Sequence, residues 1–204
     1  MIVSQTPTIL DDRASWLYGR EANVTSQFGE DGLIAATLGR LGSTNRWCFE
    51  VGANDGEFYS NVNALWRTGW DAVLIESNAE HFAKLKRYES QHVRCVHATV
   101  GPDSLDQILT AAGAPTDMDL GVIDIDGQDY WVWHGMQTYR PRIMLVEFAH
   151  RSEDSIGYVP ECGDESGRQA SYASILELGH SKGYVALAKT CVNLLFARKE
   201  LLES

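Results

Sequence analysis

The sequence contains no apolar run long enough to span a bilayer, which argues against an integral membrane protein. Residues 1–12 lack a basic start followed by an apolar stretch. No secretory signal is therefore expected, and the cytoplasm is the expected location. There is no CxxC pair. Cys48, Cys95, Cys162 and Cys191 are scattered, which excludes a zinc signature and a disulfide framework. Cys48, Cys95 and Cys191 lie in apolar runs and read as buried thiols, whereas Cys162 sits in a polar loop. Basic residues are scarce: 17 Lys and Arg face 28 Asp and Glu, for a net charge of −11. Such a chain is a poor partner for nucleic acid, because phosphate binding needs a basic face. The one basic run, Lys84-Leu85-Lys86-Arg87, is short and reads as a solvated helix face. GxGxxG and GK[ST] are both missing, so neither a dinucleotide cradle nor a P-loop is favoured.

What is present suits one domain. The chain has 204 residues, 44% hydrophobic and 22% charged, with no internal repeat. Residues 26–41 predict a helix with Leu33, Ile34, Leu38 and Leu41 on one stripe. Strands are predicted at 47–51, 72–76, 92–100, 120–126, 143–148, 184–190 and 192–198. Helices are predicted at 60–66, 79–88, 104–112 and 173–182. The polar stretch 151–168 reads as a long loop, the centre of a lid over 151–170. Residues 1–45 are expected to form an N-terminal helical cap. Strands apolar on both faces and alternating with helices imply an α/β, Rossmann-like, doubly wound sheet. It is mostly parallel and seven-stranded, with an antiparallel edge strand. Ligands bind such sheets at the carboxyl ends of the strands.

Four features fall at those ends. The first is the loop Glu50-Val51-Gly52-Ala53-Asn54-Asp55-Gly56, whose glycines allow tight turns and close approach to a ligand. Its acids, Glu50 and Asp55, repel phosphate but accept hydrogen bonds from an ammonium or hydroxyl group. The second is Glu76, placed to accept hydrogen bonds from both hydroxyls of a ribose. The third is Asp124-Ile125-Asp126-Gly127-Gln128-Asp129. If the strand continues through it, alternation puts Asp124 and Asp126 on one face. This cluster suits a divalent cation, a general base of raised pKa or a helix cap at Asp126 or Asp129, and the three readings weigh equally. The fourth is Glu147, with His150 three residues on. Tyr130, Trp131 and Trp133 are expected to pack a helix against the sheet. His134, on the same helix, and Tyr158, in the lid, are weaker candidates.

These motifs resemble the class I S-adenosylmethionine (SAM)-dependent methyltransferases, and more narrowly their FkbM-like branch. The resemblance runs from Ser26 to Arg198. It is carried by FEVGANDG at 49–56, Ile75-Glu76, IDIDGQDYW at 123–131, YRPR at 139–142 and Val146-Glu147. It implies that Glu50, Gly52, Ala53, Asn54, Asp55 and Gly56 hold the methionine part of SAM. Glu76, with Ser77 beside it, holds the ribose. Ala98 and Thr99 lie by the adenine, Asp124 sits near the methyl group, and residues 27–31, led by Gln27, cover the cofactor. Asp124, Asp126 and Glu147 are the implied catalytic acids. Asp126 and Glu147 match the magnesium ligands of related O-methyltransferases. The sequence departs from that pattern at Phe148 and Ala149, where those enzymes often carry a second acid or amide. The expected reaction is methyl transfer to a hydroxyl of a small molecule. A SAM- or nucleoside-binding protein without transfer activity, and a metal-dependent hydrolase, are the alternatives. A homo-oligomer is compatible with the sequence, and the acceptor is not legible in it.

Overall fold

The structure is a computed structural model that describes residues 6–149 and 157–203. His150 and residues 151–156 of the expected lid lie outside the described residues. Eight strands form one sheet: β1 (Thr8–Ile9), β2 (Trp47–Val51), β3 (Asp71–Glu76), β4 (Val93–His97), β5 (Leu120–Ile123), β6 (Ile143–Glu147), β7 (Tyr184–Lys189) and β8 (Asn193–Arg198). Their order is β1-β7-β8-β6-β5-β2-β3-β4. Pairing is parallel from β6 through β5, β2 and β3 to β4. β8 runs antiparallel between β6 and β7, and β1 forms an antiparallel edge on β7. The sequence predicts the seven longer strands. The eighth, β1, has only two residues, too few to show a period, and it brings part of the 1–45 segment into the sheet.

Both faces of the sheet are covered, as an all-apolar strand pattern requires. One face packs α1 (Glu30–Leu41), α2 (Asn63–Trp66) and α3 (Ala79–Leu85) on Cys48, Leu74, Leu120, Leu145 and Leu195. The other packs α4 (Leu105–Ala111), α5 (Asp129–Gly135) and α6 (Tyr172–Ser181) on Phe49, Val73, Ile123, Val146 and Phe196. Strand alternation assigns each residue to its face. It therefore puts Glu50, Asp124, Glu147 and Asn193, which continue the first register, on the α1 side. The connection reverses direction between β2 and β5, so the ends of these neighbours diverge and leave a crevice.

The helix expected at 60–66 is shortened to Asn63–Trp66 and the strand expected at 92–100 to Val93–His97, and two further boundaries differ because a carboxylate captures the backbone. The helix expected from residue 26 begins at Glu30. The Asp31 carboxylate accepts hydrogen bonds from the backbone N–H of Val24, Thr25 and Ser26 at 2.8–2.9 Å, which folds that segment back as a loop. The stripe itself holds: Leu33, Ile34 and Leu38 are buried. The strand expected through residue 126 stops at Ile123. Asp129 accepts from the N–H of Ile125 (2.9 Å) and of Gly127 (3.0 Å), curling the chain into a turn with Asp126 at φ +55°. Of the expected aromatic packing, Trp133 is fully buried against Tyr184 and Phe196. Cys48 and Cys95 are buried and Cys162 is exposed as expected, while Cys191 is only partly covered. Among the described residues no helix is long and apolar enough to cross a membrane.

Candidate active site at the strand ends

A cavity of about 240 Å³ opens at the carboxyl ends of β2 to β5. Its walls include Gly52 after β2, Ser77 after β3, Ala98 and Thr99 after β4, and Ile125 and Asp126 after β5. Five expected cofactor or catalytic residues, from four separate stretches of chain, thus meet around one space. Gly52 has φ +86°, and a Cβ there would fall inside the Asp124 carbonyl oxygen. The β2 and β5 loops touch through this glycine, so no side chain fits between them.

Beneath the cavity lies a ring of carboxylates. Glu50 is buried and accepts from Ser60 Oγ and the N–H of Asn61, both at 2.7 Å. Burial pushes its pKa up to about 8, against the lowering effect of those two hydrogen bonds, and the charges of Asp124 and Asp31 add to the rise. Glu76 binds the loop itself: its two oxygens accept from the N–H of Asn54 (2.8 Å) and Asn78 (2.6 Å). Asp124, Asp129 and Glu147 all have raised pKa values. Burial is the first cause for each. The charge of Asp126 is next for Asp124, and the charge of Asp124 is next for Asp129 and Glu147. None of the ion pairs among the described residues engages Glu30, Glu50, Asp124, Asp129 or Glu147. The ring is therefore a poorly solvated cluster of acids with no internal counter-charge among the described residues. Such a cluster favours a cationic ligand or protons.

Other expected residues stand elsewhere. Asp55 accepts from the N–H of Glu57 and Phe58 and closes a turn, and Arg67 bonds Glu57 in the same loop. Ala53 is buried in the core, Gly56 backs onto Leu85 and Tyr88, and Gln27 is exposed. None of these four lines the cavity among the described residues. The expected magnesium pair does not fit a metal centre. Asp126 is exposed, presents its backbone N–H and not its carboxylate to Glu147 Oε2 at 3.2 Å, and accepts from Gln169 Nε2 at 3.4 Å. Among the described residues no group of three or more His, Cys, Asp or Glu is arranged to hold a metal ion.

The sequence carries no sign of the contacts that hold residues 160–164 beside the strand ends. Gln128 Nε2 donates to the carbonyls of Glu161 and Asp164, and its Oε1 accepts from the N–H of Gly163. Trp131 Nε1 donates to the Pro160 carbonyl at 2.8 Å. Asp164, Glu165 and Gly167 consequently roof the cavity. A second cavity, about 330 Å³, lies at the opposite end of the sheet beside Lys182 and Arg140. Both cations are already occupied there, by the Met136 carbonyl and by Glu200.

No family model matches the sequence, and neither does any curated protein. Solved structures do. The chain is similar to a candidate O-methyltransferase from Klebsiella pneumoniae, with 16% identity, 93% of this chain and 90% of that one covered, and a TM-score of 0.57. It is also similar to the N-terminal domain of EvdMO1 with S-adenosylhomocysteine (SAH) bound, at 15% identity, 85% and 82% coverage and a TM-score of 0.53. A third is the magnesium protoporphyrin IX methyltransferase of Synechocystis PCC 6803 with SAH bound, at 14% identity, 83% and 81% coverage and a TM-score of 0.51. At these identities the likeness establishes a shared architecture: this chain has the Rossmann-like fold of SAM-dependent methyltransferases.

Proposed function

We propose that the protein is a SAM-dependent methyltransferase acting on a small molecule, with a hydroxyl oxygen as the methyl acceptor. One observation carries the reading. A glycine-lined cavity at the fold's switch point adjoins a cluster of buried acids that no ion pair among the described residues neutralises. SAM carries a sulfonium and an ammonium but no phosphate, so it fits where a dinucleotide would be repelled. Gly52 would let its methionine part approach the backbone. Ser77, Ala98 and Thr99 would line its nucleoside end. Glu76 retains lone pairs for ribose hydroxyls while holding the Asn54 and Asn78 N–H groups.

When bound, SAM supplies an electrophilic methyl group. The protein then has to orient a nucleophile, exclude water and accept its proton. Asp126, the expected catalytic acid that lines the cavity, is the group placed for the proton. The lid, tied down by Gln128 and Trp131, excludes water from the cavity roof. The FkbM-like motifs support a hydroxyl acceptor, and the net charge of −11 supports a small molecule over a nucleic acid. Calorimetric titration with SAM and SAH tests the reading. Saturable binding of both is expected, and absence of binding at millimolar ligand would remove it.

A further inference from the structure

Most acids around the ring are explained by the backbone they hold. Asp31, Glu50, Glu76 and Asp129 each accept at least two hydrogen bonds that shape a loop. Glu30 accepts from the Phe28 N–H and from Thr190 Oγ1, both at 2.7 Å. Three side chains, Asp124, Glu147 and Asn193, bond chiefly to one another. Among the described residues Asp124 receives no backbone N–H, and its hydrogen-bonding neighbours are Glu147 and Asn193. Glu147 receives one long contact, from the Asp126 N–H. Asn193 is only 2% exposed, yet among the described residues its Oδ1 has no hydrogen-bond partner. Glu147 and Asn193 stand directly opposite each other in the β6–β8 ladder, on the face shared with Asp124. Asn193 Oδ1 is thus a buried acceptor left without a donor beside two acids, and such an atom is rare and calls for an explanation.

We propose that Asp124, Glu147 and Asn193 form a receptor for a primary ammonium group on the methyl acceptor. The inference rests on the methyltransferase reading and narrows its acceptor to small molecules that carry an amine beside the hydroxyl. A primary ammonium offers three N–H donors and no acceptor, one for each of these side chains. A hydroxyl offers a single donor and would leave two of them unmet. The ammonium of SAM itself is a worse match. The Gly52 loop leaves β2, whereas Glu147 sits two strands away, roughly 10 Å at the spacing of a sheet. Asn193 lies one strand further.

The test is calorimetry on the full chain saturated with SAH. Butylamine, 2-phenylethylamine and glucosamine are each titrated beside 1-butanol, 2-phenylethanol and glucose. At least one amine should bind about tenfold or more tighter than its hydroxyl partner, as expected when charge-assisted hydrogen bonds are gained. Asn193→Leu should abolish that preference, and Asn193→Asp, which keeps the acceptor, should retain it. SAH affinity should stay unchanged in both. If Asn193→Leu melts early, Glu147→Gln serves instead and should weaken the amine by a similar factor. Equal binding of amines and hydroxyls, or no amine binding to the SAH-loaded protein, overturns the proposal. So does a loss of SAH affinity in Asn193→Leu, which would assign the cluster to the cofactor. Failure of SAH to bind wild type is a different result: it removes the methyltransferase reading, and this proposal with it.

Discussion

Substituting Gly52 by alanine tests both the architecture and the site. Two separate costs are expected. The first is conformational: φ is +86°, a region costing an L-residue about 1–2 kcal/mol. The second is steric. The new methyl group would overlap the Asp124 carbonyl oxygen. The β2 and β5 loops would have to part by more than about 1 Å to restore an ordinary contact. Together these should cost roughly 3 kcal/mol or more, a drop in Tm of roughly 6–12 °C for a domain of this size. Gly69 supplies the control, since its φ is +88° and a Cβ there meets nothing within 4 Å. Gly69→Ala should therefore show only the conformational cost, about 1–2 kcal/mol. The difference between the two variants isolates the close approach of the loops. Urea denaturation followed by circular dichroism gives both values. Calorimetry should then show SAM affinity falling at least about tenfold in Gly52→Ala and unchanged in Gly69→Ala. If the two variants melt alike and bind SAM alike, the loops do not meet through Gly52, and the cradle argument is wrong.

Glu50 gives a pH signature. Its folded pKa, about 8, lies above the ordinary 4.5, so its contribution to stability is complete below about pH 4.5 and is lost as pH rises through 8. Wild type minus Glu50→Gln in Tm should therefore become less favourable from pH 5 to 9, and a difference that grows with pH contradicts the assignment. Asp119 is fully buried at the far end of the sheet, where it accepts from the N–H of Thr44, Asn45 and Arg46 and pairs with Arg142 at 3.2 Å. Asp119→Ala should cost about 3–5 kcal/mol in chemical denaturation by stranding that cation, with SAM affinity retained at low temperature. A small loss would mean that the network relaxes. Trp131→Phe removes the hydrogen bond to Pro160 while keeping most of the packing. Hydrogen exchange at residues 157–167 should quicken, by about fivefold to tenfold for a bond of about 1 kcal/mol, while the global Tm moves little. Unchanged exchange would show that this segment is held by other contacts.

The fold was legible wherever a segment carried its own period. The apolar strands β2, β3, β5 and β6 are bounded by polar turns, and alternation assigns their faces without reference to anything distant. Boundaries failed where a side chain several residues away captures the backbone. Asp31 holds 24–26 out of the helix, and Asp129 turns the chain at 125–127 before β5 can extend. Both carboxylates lie downstream of the residues they redirect. A sequence shows that such an acid is present but not which N–H groups it will find. β1 depends wholly on β7 for its ladder, since two residues cannot form a strand alone.

The site divides along the same line. Gly52 and Asp126 were legible because the ends of parallel strands converge by topology, whereas Ser77, Ala98 and Thr99 came from the family resemblance; all five line one cavity. Asn193 carried no such mark. It begins a strand that runs the opposite way, and its amino end, not its carboxyl end, reaches the site. The rule that ligands gather at carboxyl ends of strands points away from it. A usable signal did exist in the pairing: an antiparallel strand beside β6 must place a residue opposite Glu147. A polar residue at that position, flanked by Leu194 and Leu195, breaks the apolar run for a reason that packing does not supply. In a sheet with an inserted antiparallel strand, the polar residue opening that strand belongs among the site candidates. The acids at the ends of its parallel neighbours give only half of the ring.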